Sequence, residues 1–285
     1  MPPVAERSLD VRADFPILAR RFGERKLVYL DSAATAQKPA VVIEAVADYL
    51  RNHNANVHRG VYALAREADA AYDGARVRVA AFTGAEVDTT IFTKNVTEAI
   101  NLVAYSWGRA NLRAGDAVLI TQMEHHANIV PWQVLCRERQ ATLRYLEVDE
   151  RGELSLQQLE DELARGDVRL VAFTHISNVL GTINPVQEMT ARVRAAGAVS
   201  LIDGAQAVPH MPVDVPSTGA DFYAWTPSIN ETAPAARTRA VISRTGLIVP
   251  STFERCVNAT RRTSPRASSA SSCGSESSPR SSTSR

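Results

Sequence analysis

The sequence predicts an α/β fold, a mostly parallel sheet with helices on both faces, and three observations carry that prediction. Short β-like runs alternate with helical patterns through most of the 285 residues. Runs such as AVLIT (117–121) and LVAFT (170–174) are apolar throughout rather than alternating, the mark of strands buried on both sides. The helical patterns between them supply the crossovers that parallel strands require.

Taken in order, Val41–Leu50 repeats apolar residues at Val42, Val46 and Leu50, a helical period, with Pro39 near its start. Gly60–Phe82 reads as an Ala-rich helix. Thr90–Thr93 is a strand, Val96–Trp107 a helix, Ala117–Thr121 a strand and Ile129–Arg139 a helix. Thr142–Val148 is a strand, and Ser155–Ala164 a helix with Ser155 and Gln158 as a capping pair. Arg169–Thr174, Val186–Ala196, Ala198–Asp203 and Asp221–Trp225 continue the alternation. After Trp225 the pattern fails: Val241–Phe253 has apolar character without a period. From Ser264 to Arg285, 11 of 22 residues are Ser, a composition that cannot offset its ordering entropy and predicts disorder. The division is therefore an N-terminal segment (1–29), a large domain (30–225) and a tail (226–285).

The formal net charge of +1 hides an asymmetry. Residues 226–285 hold nine Arg, no Lys and three Glu, a net of +6, so residues 1–225 carry −5. The globular part is mildly acidic and offers no nucleic-acid footprint; the tail's Arg residues are interspersed with Ser, without aromatics, and read as a solvated segment. No run approaches the ~18 apolar residues of a membrane span, and the N-terminus lacks the apolar stretch of a secretory signal. Cys136, Cys256 and Cys273 show neither metal nor disulfide spacing. A cytoplasmic setting is expected.

In a parallel α/β sheet, ligands gather at the carboxyl ends of the strands. The residues found there are Lys94–Glu98 with Thr97, the pair His125 and His126, Asn178, and then Asp203 and Gln206. Each has an ordinary reading: Thr97 as a helix cap, Asn178 as a loop residue, Asp203 as a cap. Adjacent histidines without a third ligand at metal spacing do not suggest zinc. One ligand accounts for the set together. Pyridoxal phosphate brings a phosphate for a helix N-terminus at Thr97, a ring for an imidazole to stack on and a phenolic oxygen suited to Gln206. Its pyridine nitrogen needs a facing carboxylate such as Asp203.

The stretches LDSAATAQKP (30–39), NVHRG (56–60), QMEHHANIVPW (122–132), HISNVLGTINP (175–185) and DGAQAVPHMPVDV (203–215) closely resemble Suf-type cysteine desulfurases, of the class V aminotransferase family of fold-type I pyridoxal phosphate enzymes. The resemblance covers about residues 10–225. It implies the large domain of such a transferase, with the C-terminal small domain missing. It further implies that His125, the catalytic residue carried over, stacks on the ring, and that Asp203 pairs with the pyridine nitrogen. Gln206 reaches the phenolic oxygen, Asn178 lies beside cofactor and substrate, and Thr97 holds the phosphate. The family reaction converts L-cysteine to L-alanine. Its sulfur passes to an enzyme persulfide and on to an acceptor protein for iron–sulfur cluster assembly, and the enzymes are homodimers.

The family's Schiff-base lysine ends a Ser-Gly-His-Lys motif, which falls here on Thr226, Pro227, Ser228 and Ile229. Only the hydroxyl of Thr226 is kept. The chain's lysines are Lys26, Lys38 and Lys94. The expectation is a cradle without its covalent anchor: pyridoxal phosphate bound non-covalently if at all, and no turnover. With 29 Arg against three Lys and abundant Ala, the gene reads as GC-rich. A shifted frame or rearrangement near codon 226 would then account for the tail. The rival expectation is an evolved non-catalytic homologue, a cofactor-binding or heterodimerising partner of an intact desulfurase.

Overall fold

A computed structural model describes residues 11–226 and 240–243. Near the start, β1 (Arg21–Phe22) and β2 (Arg25–Lys26) form a small hairpin that turns at Gly23, whose φ of 60° lies in the left-handed region open to glycine. Two helices follow, α1 (Ala40–Asp48), continued by a π-helical turn over Tyr49–His53, and α2 (Ala63–Phe82). None of the α1 side chains is buried, and Val41, Val42, Ile43 and Val46 are exposed.

The main sheet follows. After β3 (Ile91–Thr93) the chain enters α3 (Val96–Val103), a π-helical turn (Ala104–Gly108) and the short α4 (Arg109–Asn111). Then β4 (Ala117–Thr121), α5 (Val130–Arg139), β5 (Thr142–Leu146), α6 (Leu156–Ala164) and β6 (Val168–Thr174) alternate regularly. The chain continues through α7 (Val186–Ala195), β7 (Val199–Asp203), α8 (Ala207–His210), β8 (Phe222–Trp225) and β9 (Ala240–Ser243). The strand order is β3-β9-β8-β7-β6-β4-β5. Five strands, β5, β4, β6, β7 and β8, are mutually parallel.

Alternate residues of the buried strands feed two separate cores. Val118, Ile120, Leu170, Ala172, Leu201 and Phe222 pack with α3 and with Trp132 and Leu135 of α5. Their neighbours Ala117, Leu119, Val171, Phe173, Ile202 and Tyr223 pack on the other face with Leu159 and Leu163 of α6 and Met189 and Val193 of α7. Both faces are thus covered, as continuously apolar strands demand.

Local signals place the helices. Ser155 Oγ accepts from Gln158 N at 3.2 Å and starts α6. The reciprocal half of the expected capping pair does not form, because Gln158 Oε1 instead accepts from Glu147 N at 3.0 Å. Pro131 occupies the first turn of α5, where its missing N–H costs nothing, and Gln140 ends that helix in the left-handed region. The sequence placed no regular element after Trp225. The structure adds β9, which bonds antiparallel to β3 and β8 and bridges them. Four residues, Ala-Val-Ile-Ser, are too few to show a period. The rest of the predicted disordered tail lies outside the described residues.

Close packing beneath the sheet edge is testable with a pair of glycines. A Cβ on Gly204 would lie 2.2 Å from Cε1 of Tyr223, a fully buried ring that cannot move aside. Gly204→Ala should therefore destabilise the fold by roughly 1–3 kcal/mol. Gly74, inside α2, has nothing within 4 Å of that position, so Gly74→Ala should stabilise by about 0.5–1 kcal/mol. Urea unfolding of the two variants checks both signs.

Candidate cofactor site

The five parallel strands end on one edge, and that edge collects the predicted residues. In register, Thr174 of β6 pairs with Asp203 of β7, and Asp203 pairs with Ala224 of β8. The next residues on each strand, His175, Gly204 and Trp225–Thr226, line the same rim. β9 runs antiparallel to both its neighbours, so β3 points the same way as β8. Two reversals restore the direction, and the β3–α3 turn with Thr97 opens on this edge too.

Thr97 is not the helix cap. Asn95 caps α3, its Oδ1 accepting from Glu98 N at 2.8 Å. Thr97 sits half-buried in the first turn, its carbonyl accepting from Asn101 Nδ2 at 2.8 Å. Among the described residues, no acceptor meets Val96 N or Thr97 N. Two backbone donors therefore remain at the positive end of the helix dipole. The helix packs against the turn that follows His125.

His125 is not on a strand. It precedes a 3-10 turn (His126–Asn128), with Nδ1 accepting from Ala127 N at 3.2 Å. That bond requires Nδ1 to be unprotonated and the Nε2 tautomer in the neutral ring. The ring is exposed and stands edge-on to His126, centroids 6.0 Å apart. Asn178 lies exposed in the turn after β6.

Asp203 is 4% exposed, and among the described residues its carboxyl takes a single hydrogen bond, 2.9 Å from Ala205 N, with no ion pair. Burial pushes its pKa up to about 6, partly offset by the Ala205 N–H and by His125. Gln206 Nε2 donates to Ala33 O at 2.9 Å, tying the rim to the loop at 31–36. Thr226 is buried at the end of β8.

Three further groups occupy the rim that sequence reasoning missed. Glu124 is buried, with Oε1 2.5 Å from Thr121 Oγ1 and 2.9 Å from Thr174 N, and Oε2 2.6 Å from Asn128 Nδ2. Burial, its largest cause, raises its pKa to about 8 against those three bonds, and Asp203 adds to the rise. His175 Nδ1 is 2.7 Å from Tyr223 Oη, beneath Asp203, and its backbone N–H donates to Asp203 O at 2.8 Å. Burial lowers the His175 pKa and raises that of Tyr223, to which Asp203 contributes. The only sequence signal for Glu124 was its place beside the two histidines. Cys136 lies apart from this set, buried on α5, with its thiol pushed up to about 11 by burial. That state suits neither nucleophile nor sulfur carrier. Among the described residues, no group of three His, Cys, Asp or Glu could hold a metal.

The donor set fits pyridoxal phosphate. A buried carboxyl with one hydrogen bond and no cation has room for the pyridinium, and the N-terminus of α3 offers donors for phosphate.

Comparison with known proteins agrees with that fit. The aminotransferase class-V family profile matches residues 28–227. A probable cysteine desulfurase of Halalkalibacterium halodurans is 47% identical over 218 residues, 76% of this chain and 53% of that protein. A cysteine desulfurase of an Enterobacter species is 51% identical over 217 residues, again covering 76% and 53%. Among solved structures, the apo cysteine desulfurase of Thermococcus onnurineus superposes with a TM-score of 0.74 at 36% identity, over 83% of this chain and 56% of that one. A cysteine desulfurase of Escherichia coli gives 0.69 at 34%, over 82% and 57%. The chain spans about half the length of the relatives it matches. It belongs to the class-V aminotransferase family.

Proposed function

We propose that this chain keeps the cofactor cradle of a cysteine desulfurase without the residue that anchors the cofactor, so that it binds pyridoxal phosphate reversibly and does not turn over cysteine. The observation that carries the reading is Asp203: a buried carboxyl at the end of a central parallel strand, with one donor and no cation among the described residues. Pyridoxal phosphate, when bound, supplies an electron sink for bonds at a substrate's α-carbon.

The chain's own residues would hold it as follows. Asp203 would give its negative charge to the pyridine nitrogen. His125 would cover the ring. Gln206 Nε2 carries two protons, one committed to Ala33 O, and the other would serve the phenolic oxygen. The side chain of Thr97, with the N–H groups of Val96 and Thr97, would take the phosphate, and Thr226 and Asn178 would border the substrate side. By family the substrate is L-cysteine and the product L-alanine, with sulfur destined for iron–sulfur cluster assembly, in a cytoplasmic homodimer. Position 229, where the family lysine falls, carries Ile and lies outside the described residues. A shifted reading frame near codon 226 accounts for that loss. The second reading, a non-catalytic partner of an intact desulfurase, is favoured by the same retained cradle and is separated by co-purification with a full-length relative.

Pyridoxal phosphate should bind the full chain and leave on dialysis, and borohydride should fix no cofactor to the protein. Asp203→Ala should weaken binding by about 3–5 kcal/mol, the cost of removing one member of a buried charge pair. Unchanged affinity in a folded Asp203→Ala protein would remove Asp203 from the site. Purified chain should release no alanine from cysteine, and Ile229→Lys alone should not restore it. An amine without its Gly-His neighbours is not aimed, and acid–base help, worth about 10²–10⁴-fold, depends on aim. Alanine formation by the unmodified chain, free of host desulfurase, would overturn the proposal.

A further inference from the structure

Glu124 has no part in the roles assigned so far, yet it is the most heavily bonded side chain of the rim. Its two oxygens contact three separate parts of the chain, two through side chains and one through a backbone N–H. Thr121 Oγ1 ends β4, Thr174 N ends β6, and Asn128 Nδ2 lies at the entry to α5. Asn128 is itself fixed from the far side, its Oδ1 accepting from Trp132 Nε1 at 2.8 Å. The turn from Gln122 to Ile129, which presents His125, is therefore held at both ends and pinned to the neighbouring strand through one carboxyl. His125 is exposed, and among the described residues its ring meets only groups of its own turn, the Ala127 N–H and the His126 ring, so its position follows from the turn and the turn follows from Glu124.

The second observation is the partner acid. Glu124, three residues past the end of β4, and Asp203, at the end of β7, are both buried on the same rim with β6 between their strands, and they repel one another when both are charged. Two like charges in a low-dielectric rim without a counter-cation are not both maintained. A neutral Glu124 suits its contacts. Its proton would fill the 2.5 Å gap to Thr121 Oγ1, while Oε1 still accepts from Thr174 N and Oε2 remains a carbonyl-type acceptor for Asn128 Nδ2.

We propose that Glu124 is a positioning residue that works as the neutral acid: it locks the His125 turn to the ends of β4 and β6, and it leaves Asp203 as the one negative charge facing the cofactor. The cofactor half of this statement rests on the reading of His125 and Asp203 given above; the clamp itself does not.

The experiment compares the full-length chain with Glu124→Gln and Glu124→Ala. Without cofactor, urea unfolding is measured from pH 5 to 8. A neutral buried acid keeps its proton while the unfolded chain gives it up, so the wild type's stability falls as pH rises between the unfolded value near 4.5 and the folded value near 8. Glutamine carries no such proton. The folded-to-unfolded ratio of Glu124→Gln should therefore gain on wild type by up to tenfold per pH unit across that window. The other titratable groups bearing on the pair are His125 on the same turn, His175 after β6 and Tyr223 on β8. All are kept in the variant and cancel. A flat difference, or one of opposite sign, shows an ionised Glu124 and overturns the neutral clamp. In parallel, the His125 ring resonance should shift less in Gln, whose amide keeps the bond to Thr121 and one of the two N–H contacts, than in Ala; an Ala variant with the wild-type resonance overturns the positioning role. Should Glu124→Ala fail to fold, Asn128→Ala replaces it, removing one bond of the clamp, with the same ring resonance read. Finally, pyridoxal phosphate affinity should stay within about threefold in Gln and drop at least tenfold in Ala. Absence of cofactor binding by wild type would defeat the cofactor reading alone, while the stability and resonance arms still decide the clamp.

Discussion

Parallel pairing of β5, β4, β6, β7 and β8 is the constraint from which the rest of this structure follows. A parallel neighbour cannot be reached by a tight turn, so the chain must return across a face of the sheet after each strand. The returning helices bury both faces, and the central strands are accordingly mostly apolar, Ala117–Thr121 being buried throughout, while the edge strand β5 keeps Thr142 and Arg144. With both faces apolar, polar chemistry has only the edges of the sheet. Each of the five parallel strands delivers its next residues to the same edge, and β9, antiparallel to both β8 and β3, leaves β3 pointing that way too and so brings the start of α3 to it.

That geometry sets an electrostatic problem, because a rim resting on two apolar cores is a poor place for charge. Glu124 and Asp203 answer it differently. Glu124 is surrounded by groups of its own chain, and its three contacts are all short-range ties between elements. Asp203 has one backbone donor, and its other neighbours are His125 above and the His175–Tyr223 pair below. The first is satisfied by its own chain and acts as a structural tie, while among the described residues the second takes one hydrogen bond on its carboxyl. The same comparison explains Gly204: with Tyr223 Oη 2.5 Å from where a Cβ would stand, the strand end can approach the pair only without a side chain.

The fold was legible in the sequence because buried parallel strands leave a strong, local mark. AVLIT and LVAFT are apolar without a break, and the helices between them keep a 3.6 period. Most element ends shifted by a residue or two, as with the strand predicted to Val148 that stops at Leu146, but α2 starts three residues after Gly60 and α3 gives way to a π-helical turn after Val103. What could not be read depends on contacts distant in sequence. β9 exists through its pairing with β3 and β8, not through its own four residues. Asn95 rather than Thr97 caps α3 because the cap is decided by backbone angles at the turn. Glu124 in a loop beside two histidines reads as solvated; only Thr174, 50 residues on, shows that it is buried and bound. His175 and Tyr223 are 48 residues apart, and nothing local in either pairs them. Local pattern thus located the edge, while the tertiary ties within that edge were out of its reach.

The placement of Gln206 shows how far the cradle depends on the segment preceding α1. Its amide is held by Ala33 O, in a loop with few other anchors. Tyr29 Oη bonds Asp31 O and Thr35 O at 3.0 and 2.5 Å, and Lys38 Nζ bonds Ala36 O at 2.5 Å, all within ten residues. Neither sheet core includes any residue before Val79, so the sheet closes without this segment. The helix it leads into, α1, buries none of its side chains and leaves four branched apolar residues in solvent. Asp203, Glu124 and His125 are fixed by strand ends and their ties; Gln206 is fixed by a loop tied mostly to itself. The cradle therefore has a rigid part, built on the sheet, and a compliant part, whose geometry changes with whatever contacts the 28–64 segment makes. Asp203 and His125 belong to the first, and Gln206 belongs to the second.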